Sequence, residues 1–133
     1  MALVLDNSVL VGWFVPEQAS AYTRRIAQRA RREDLFVPAL WEVEFANVMA
    51  MFSRRRALSS HQVASILSRA IRLDLQVDRN PVSPRNLFSI TERHGISAYD
   101  AAYLELAERR GLPLATRDAS LAGAARAAGV PLA

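Results

Sequence analysis

Four carboxylates, Asp6, Glu44, Asp100 and Asp118, stand where a parallel α/β fold would direct them toward one point. Asp6 closes the apolar run Ala2-Leu3-Val4-Leu5, and Asp118 follows Leu112-Pro113-Leu114-Ala115-Thr116. Asp100 falls in the first turn of a helix expected to open at Ser97, and Glu44 is set among Trp41, Val43, Phe45, Ala46, Val48, Met49 and Phe52. In open α/β sheets, sites form beyond the carboxyl ends of the strands. Clustered acids with no base beside them repel one another unless a divalent cation lies between them, so the pattern implies Mg²⁺ or Mn²⁺ held by oxygen. Water activated there could attack a phosphodiester, and a second ion at ~4 Å could offset charge on the leaving oxygen.

Each acid also has an ordinary structural reading. Asp6-Asn7-Ser8 suits a strand-to-helix turn whose Asp or Ser caps the helix, and Asp118 suits a cap for the helix expected from Ala119. Ser97 with Asp100 three residues later has the spacing of a capping box. Glu44 resists such a reading, because an ionised carboxylate in an apolar helix is costly unless paired or metal-bound. Asn47, one turn further on, is placed to orient it. Caps need not converge, whereas a metal site must. Ser8 and Thr116 each lie two residues from an acid, positioned either to bind a water or phosphate oxygen of the site or to close the turns. Arg117, between Thr116 and Asp118, is the arginine nearest the expected chemistry and a candidate substrate contact. His61 and His94 read as structural, at the beginning of one helix and the end of another.

The elements that must place these residues alternate. Residues 3–5 read as a buried strand, followed by a short helix to Phe14. A second helix is expected over 17–32, a strand over 35–37, and helices over 40–55 and from Ser59 or Ser60 to Ile71, with Ser60 a sensible cap. A strand at 75–77 leads to a connector at 80–84, where two prolines disfavour helix in the residues before them. Helices over 87–94 and 97–110 end at Gly95 and Gly111; a strand over 112–116 and a helix over 119–128 follow, with a possible edge strand at 130–132. Strand–helix alternation predicts an α/β fold with a mainly parallel sheet covered on both faces.

Composition narrows the chemistry. The chain of 133 residues is 51% hydrophobic, enough for one packed domain over residues 1–133. It has no cysteine, which removes disulfides and thiolate metal sites. With no leader-like start and no apolar run near the ~20 residues of a membrane span, the expected location is the cytoplasm, with no membrane partner. All 17 basic residues are arginine, which removes lysine-based phosphate binding and Schiff-base chemistry. A net charge of +4 favours a polyanionic partner. Arg24, Arg25, Arg29, Arg31 and Arg32 line the second helix, and Arg54-Arg55-Arg56 end the third. Such runs serve either as solvated faces or as substrate contacts.

Four blocks in order carry a resemblance: Leu5-Asp6-Asn7-Ser8; Pro38 followed by Glu44-Phe45-Ala46-Asn47; Ser97-Ala98-Tyr99-Asp100-Ala101-Ala102-Tyr103-Leu104; and Leu114-Ala115-Thr116-Arg117-Asp118. With these blocks the chain resembles the PIN-domain ribonucleases, in particular the VapC-type toxins of toxin–antitoxin pairs. The resemblance implies a three-layer α/β/α, PIN-like fold with four or five strands, and cleavage of RNA dependent on Mg²⁺ or Mn²⁺. It matches Asp6, Glu44 and Asp100 to the core acids, Asp118 to a more variable fourth, and Thr116 to the hydroxyl before it. It also implies a homodimer and restraint by a cognate VapB-like antitoxin. The alternative within the same fold is a catalytically inactive PIN-like module that only binds RNA. An aspartyl-phosphate enzyme fits less well, because Ser8 stands where such enzymes carry a second acid and no lysine is present.

Overall fold

The computed structural model describes residues 1–133. Ala2–Leu5 forms β1, and Leu3, Val4 and Leu5 are wholly buried, as a strand covered on both faces demands. Asn7–Phe14 forms α1, after which Pro16–Gln18 makes a 3₁₀ turn. The next helix, α2, spans Ala21–Ala30 rather than starting at Glu17. Its true start is a capping box in which Ser20 and Thr23 satisfy each other's backbone N–H. Asp34–Pro38 is β2, Leu40–Arg54 is α3, and Ser60–Ile71 is α4, capped by Ser59 instead of Ser60.

Leu75–Asp78 forms β3, and Pro84–His94 forms α5. This helix begins three residues before the expected Leu87, because Pro84 occupies a first-turn position where its missing N–H has no role and Ser83 supplies the cap. Ala98–Arg110 is α6, Leu114–Ala115 is β4, and Ala119–Ala127 is α7. The expected last strand reduces to a single parallel bridge between Leu114 and Leu132.

The sheet therefore has four parallel strands in the order β3-β2-β1-β4. Seven α-helices complete a three-layer α/β/α fold. Asp34 pairs with Ala2 and Leu114 with Val4, which sets the carboxyl ends of β1 and β4 side by side. The α6 helix packs on β1, β2 and β4 as well as on α5 and α7, so it spans the sheet. No helix is long and apolar enough to cross a membrane.

One glycine sets a helix contact. A Cβ on Gly12 of α1 would stand 2.6 Å from Thr23 Cγ2 of α2, and Thr23 is fully buried. The close approach lets Trp13 Nε1 donate to the Thr23 carbonyl at 2.7 Å. This fixes the start of α2 beside the carboxyl end of β1.

Candidate active site

From β1 the chain builds outward to β2 and β3, then returns to place β4 on the opposite side of β1. The crevice at that reversal is where ligands bind in open α/β sheets. Asp6 opens it. Asp6 occupies the N-cap position of α1 yet makes no capping bond, so the capping explanation of this acid does not hold. Instead its Oδ2 accepts from Ser8 Oγ at 2.7 Å and from Thr116 Oγ1 at 2.8 Å. Each hydroxyl is in turn an acceptor: Ser8 Oγ takes the Arg117 N–H at 3.0 Å, and Thr116 Oγ1 takes the Asp118 N–H at 3.0 Å. Two short relays thus tie the start of α1 to the loop after β4. Burial pushes the Asp6 carboxyl above its usual range, and the Ser8 and Thr116 hydrogen bonds work against that shift.

The other acids arrive from three further elements. Asp118 caps α7 with Oδ2, which accepts the Leu121 N–H at 3.0 Å. Its capping reading is therefore correct, yet it engages only one carboxylate oxygen. Ser97 caps α6 through the Asp100 N–H at 3.1 Å, but Asp100 does not return the bond, so its carboxylate is left for the crevice. Glu44 comes from α3, half-buried, and its Oε1 accepts from the Tyr103 hydroxyl at 2.7 Å.

Asp6, Glu44, Asp100 and Asp118 line one open cavity of about 450 Å³, shared with Asn7, Ser8, Arg55 and Arg117. Burial, then the charges of Asp6 and Asp118, contact with the Asp118 carboxyl and the charge of Glu44, push Asp100 up to about 6. Burial likewise raises Glu44, with the Tyr103 bond opposing and the Asp6 charge adding. None of the four acids forms an ion pair with an arginine; the five ion pairs of the fold lie elsewhere. The cluster thus gathers like charge that no close ion pair neutralises. A larger cavity of about 630 Å³, bordered by Trp13, Phe14 and Leu73, contains none of these acids.

Two expectations about α3 need correction. Its composition suggests a helix apolar all round, but Trp41, Phe45 and Met49 alone are buried, while Val43 is 70% exposed. Glu44 therefore lies at the edge of the buried stripe, not within it. Asn47 faces solvent and makes no hydrogen bond to Glu44; the side of α3 that follows the cavity onward from Glu44 runs through Val48, Met51 and Phe52 instead. The group that orients Glu44 is Tyr103, fully buried on α6 and three residues after Asp100. Sequence gave only a weak signal for it, an aromatic one helical turn beyond an acid. Asn7, legible in sequence only as part of the turn into α1, is 8% exposed, lines the cavity and leaves its Oδ1 without a partner. His61 borders a different cavity beside Phe14, and His94 does not reach the acids.

The donor chemistry suits a hard divalent cation. The cavity offers carboxylate, hydroxyl and amide oxygens and no thiolate or imidazole. No three of the acids stand close enough to one another to form a ready-made ligand set.

The family model for the PIN domain matches residues 3–127, so the chain belongs to the PIN-domain family. Within it, the relatives are VapC ribonucleases. The chain is 32% identical to Ribonuclease VapC3 of Pyrobaculum aerophilum over 124 residues, 92% of this chain and 93% of that one. It is 31% identical to Ribonuclease VapC12 of Mycobacterium tuberculosis over 122 residues, 90% and 89% of the two chains. Among solved structures, VapBC2 from Rickettsia felis bound to a DNA fragment from their promoter superposes with a TM-score of 0.67 at 15% identity, covering 100% of this chain and 98% of that one. FitAcB from Neisseria gonorrhoeae does so with a TM-score of 0.64 at 20% identity, covering 98% and 95%. The family read from the four sequence blocks is the family found.

Proposed function

We propose that residues 1–133 form one PIN unit that hydrolyses RNA phosphodiester bonds as a Mg²⁺- or Mn²⁺-dependent endoribonuclease of the VapC type. The observation that carries this reading is the meeting of four acids, each from a separate element, in one cavity, none of them in an ion pair. Asp6, Glu44, Asp100 and Asp118 would hold the ion. Bound there, Mg²⁺ or Mn²⁺ supplies a Lewis acid that favours ionisation of water and offsets charge growing on the phosphate.

The protein's own groups have separable tasks. Ser8 and Thr116 donate to Asp6 Oδ2, which favours its ionised form and fixes its orientation. Tyr103 holds Glu44 Oε1 and leaves Oε2 without a protein hydrogen bond. Asp118 keeps one oxygen on the α7 cap and turns the other to the cavity chemistry. Arg117, exposed at the rim, pairs with a phosphate oxygen of the substrate.

The VapC relatives support the choice of RNA, and the VapBC2 assembly supports a cognate VapB-like antitoxin as partner. A homodimer working in the cytoplasm completes the proposal. The test is to incubate the purified chain and its Asp100→Asn variant with structured RNA in Mg²⁺ or Mn²⁺, then with excess EDTA. Cleavage by the unmodified chain alone, abolished by EDTA, is expected. Equal cleavage by both proteins would overturn the assignment of the site. RNA binding without turnover would leave a binding module in place of a nuclease.

A further inference from the structure

The arginines of α2 form a stripe that the acid cavity does not use. Tyr22, Arg25, Arg29 and Arg32 are spaced by three and four residues, so they fall along one face of the helix. Arg32 lies just beyond the helix end, where its N–H still bonds to the Arg29 carbonyl at 3.0 Å and continues the helical path. The stripe therefore extends about 15 Å, long enough for more than one phosphate of an extended strand.

One end of the stripe meets the proposed active site. Gln18, just ahead of α2, lines the acid cavity, and Tyr22 is close enough to feel the charge of Asp6. Arg25 lies over the Tyr22 ring, 5.0 Å from its centroid, which holds the guanidinium in a fixed place. From there Arg25, Gln28, Arg29, Arg31, Arg32 and Glu33 surround an open cavity of about 540 Å³ with no apolar side chain in its walls. Arg29 is neutralised by Glu33 through bonds of 2.9 and 3.1 Å. Arg25, Arg31 and Arg32 have no acidic partner. Cations left unpaired around a wholly polar cavity, in line with an acid cluster, suit a strand of phosphates and not an apolar ligand.

We propose that this face of α2 is a track for single-stranded RNA leaving the acid cavity, with Arg25 and Arg32 holding successive phosphates of the strand. The proposal rests on the nuclease reading for the direction of the strand but is tested by binding alone. Fluorescein-labelled single-stranded RNA of randomised sequence is titrated against Asp100→Asn protein, without and with Arg25→Gln and Arg32→Gln together. A second pair, Arg72→Gln with Arg85→Gln, removes the same charge from exposed positions off the stripe.

Loss of the stripe pair should weaken binding about tenfold at low salt and flatten the slope of log affinity against log salt by about 1.4, at ~0.7 per single-strand phosphate contact. The off-stripe pair should leave the slope unchanged. In the cleaving protein the stripe pair should raise KM and leave kcat as it was. Equal losses from the two pairs would overturn the track in favour of a general charge effect. Unchanged RNA affinity of the stripe pair would also overturn it and leave an acidic protein segment as the occupant. A failure of the unmodified chain to cleave RNA would instead strike the nuclease reading, with the binding comparison still decisive for the track.

Discussion

Replacing Tyr103 by Phe tests whether a buried phenol sets the Glu44 carboxylate for metal binding. The Tyr103 side chain is fully buried, and its hydroxyl donates to Glu44 Oε1 at 2.7 Å. A hydrogen bond to a charged group contributes ~1.5–3 kcal/mol, and Glu44 is half-buried, so the lower end applies. Removing the donor also lets burial and the Asp6 charge raise the Glu44 carboxyl further, which penalises the ionised form a cation needs. A loss near 1.4 kcal/mol is about tenfold in affinity, within the ~10–100-fold range for partners that orient metal ligands. The assay is calorimetric titration of Mn²⁺ into the unmodified chain, Tyr103→Phe, Glu44→Gln and the double variant.

Mn²⁺ should bind Tyr103→Phe about tenfold more weakly, whereas adding Tyr103→Phe to Glu44→Gln should change affinity less than about twofold. Because Phe keeps the ring, the melting temperature should move by no more than a few degrees, within what ~1 kcal/mol produces in a chain of this size. An equal loss in both backgrounds would refute the reasoning, since Tyr103 would then act on the packing of α6 and not through Glu44. No loss in either would show that the bond orients nothing the ion uses.

Three further outcomes can be checked by denaturation. Asp100 is raised from 3.8 to about 6, so the folded chain binds this proton more tightly than the unfolded one; stability should fall as pH rises from about 4 to about 6, by ~1 kcal/mol after solvent screening. Asp100→Asn or saturating Mn²⁺ should remove that share of the slope in urea midpoints, and an identical slope in Asp100→Asn would reject it. Asp78 behaves in the opposite sense: burial acts to raise it, but hydrogen bonds from Arg109 and Arg110 prevail and hold it low. Its contribution is present above the ordinary carboxylate range and lost as pH falls through its lower folded value. Asp78→Asn should therefore cost ~2 kcal/mol near neutral pH and nothing once Asp78 is protonated; a penalty independent of pH would count against the ion-pair account. Gly12→Ala should destabilise by ~1–2 kcal/mol, because its Cβ would meet Thr23 Cγ2 at 2.6 Å and Thr23 is buried and hydrogen-bonded; a gain in stability, as for an unhindered helical glycine, would show that α2 can retreat.

The strand ends were legible because chemistry changes abruptly there. An unbroken apolar run giving way to Asp6-Asn7-Ser8 can only leave a buried parallel strand at that point. Serine caps at Ser97 and glycine stops at Gly95 and Gly111 fixed α5 and α6 almost to the residue at those ends. The start of α2 was misplaced because the Ser20–Thr23 box lacks the usual Glu or Gln at its third position. Legibility failed most on α3, where Trp41, Val43, Phe45, Ala46 and Val48 all suggest burial and only packing decides which face turns inward. Tyr103 stayed unread for a similar reason: its partner lies 59 residues away, and no local pattern encodes a bond of that separation.

The position of α6 explains why one helix carries both Asp100 and the residue that orients Glu44. Three residues apart, Asp100 and Tyr103 project toward the same side of the helix. At the far end Arg109 and Arg110 grip the buried carboxylate of Asp78 at the end of β3, and Arg110 also stacks on Phe36 of β2 at 4.4 Å. The helix is thus pinned at one end by an ion-pair clamp and along its length by packing on β1, β2 and β4. A shift of α6 along its axis would break the clamp before it moved Asp100 off the cavity, so the clamp protects site geometry as well as stability. The burial and the like-charge repulsion that together raise Asp100 are then borne by a fixed scaffold. It follows that Asp78→Asn should weaken Mn²⁺ binding as well as the fold, although Asp78 lies outside the acid cavity; unchanged Mn²⁺ affinity in a folded Asp78→Asn protein would show that packing of α6 on the sheet alone holds Asp100 in place.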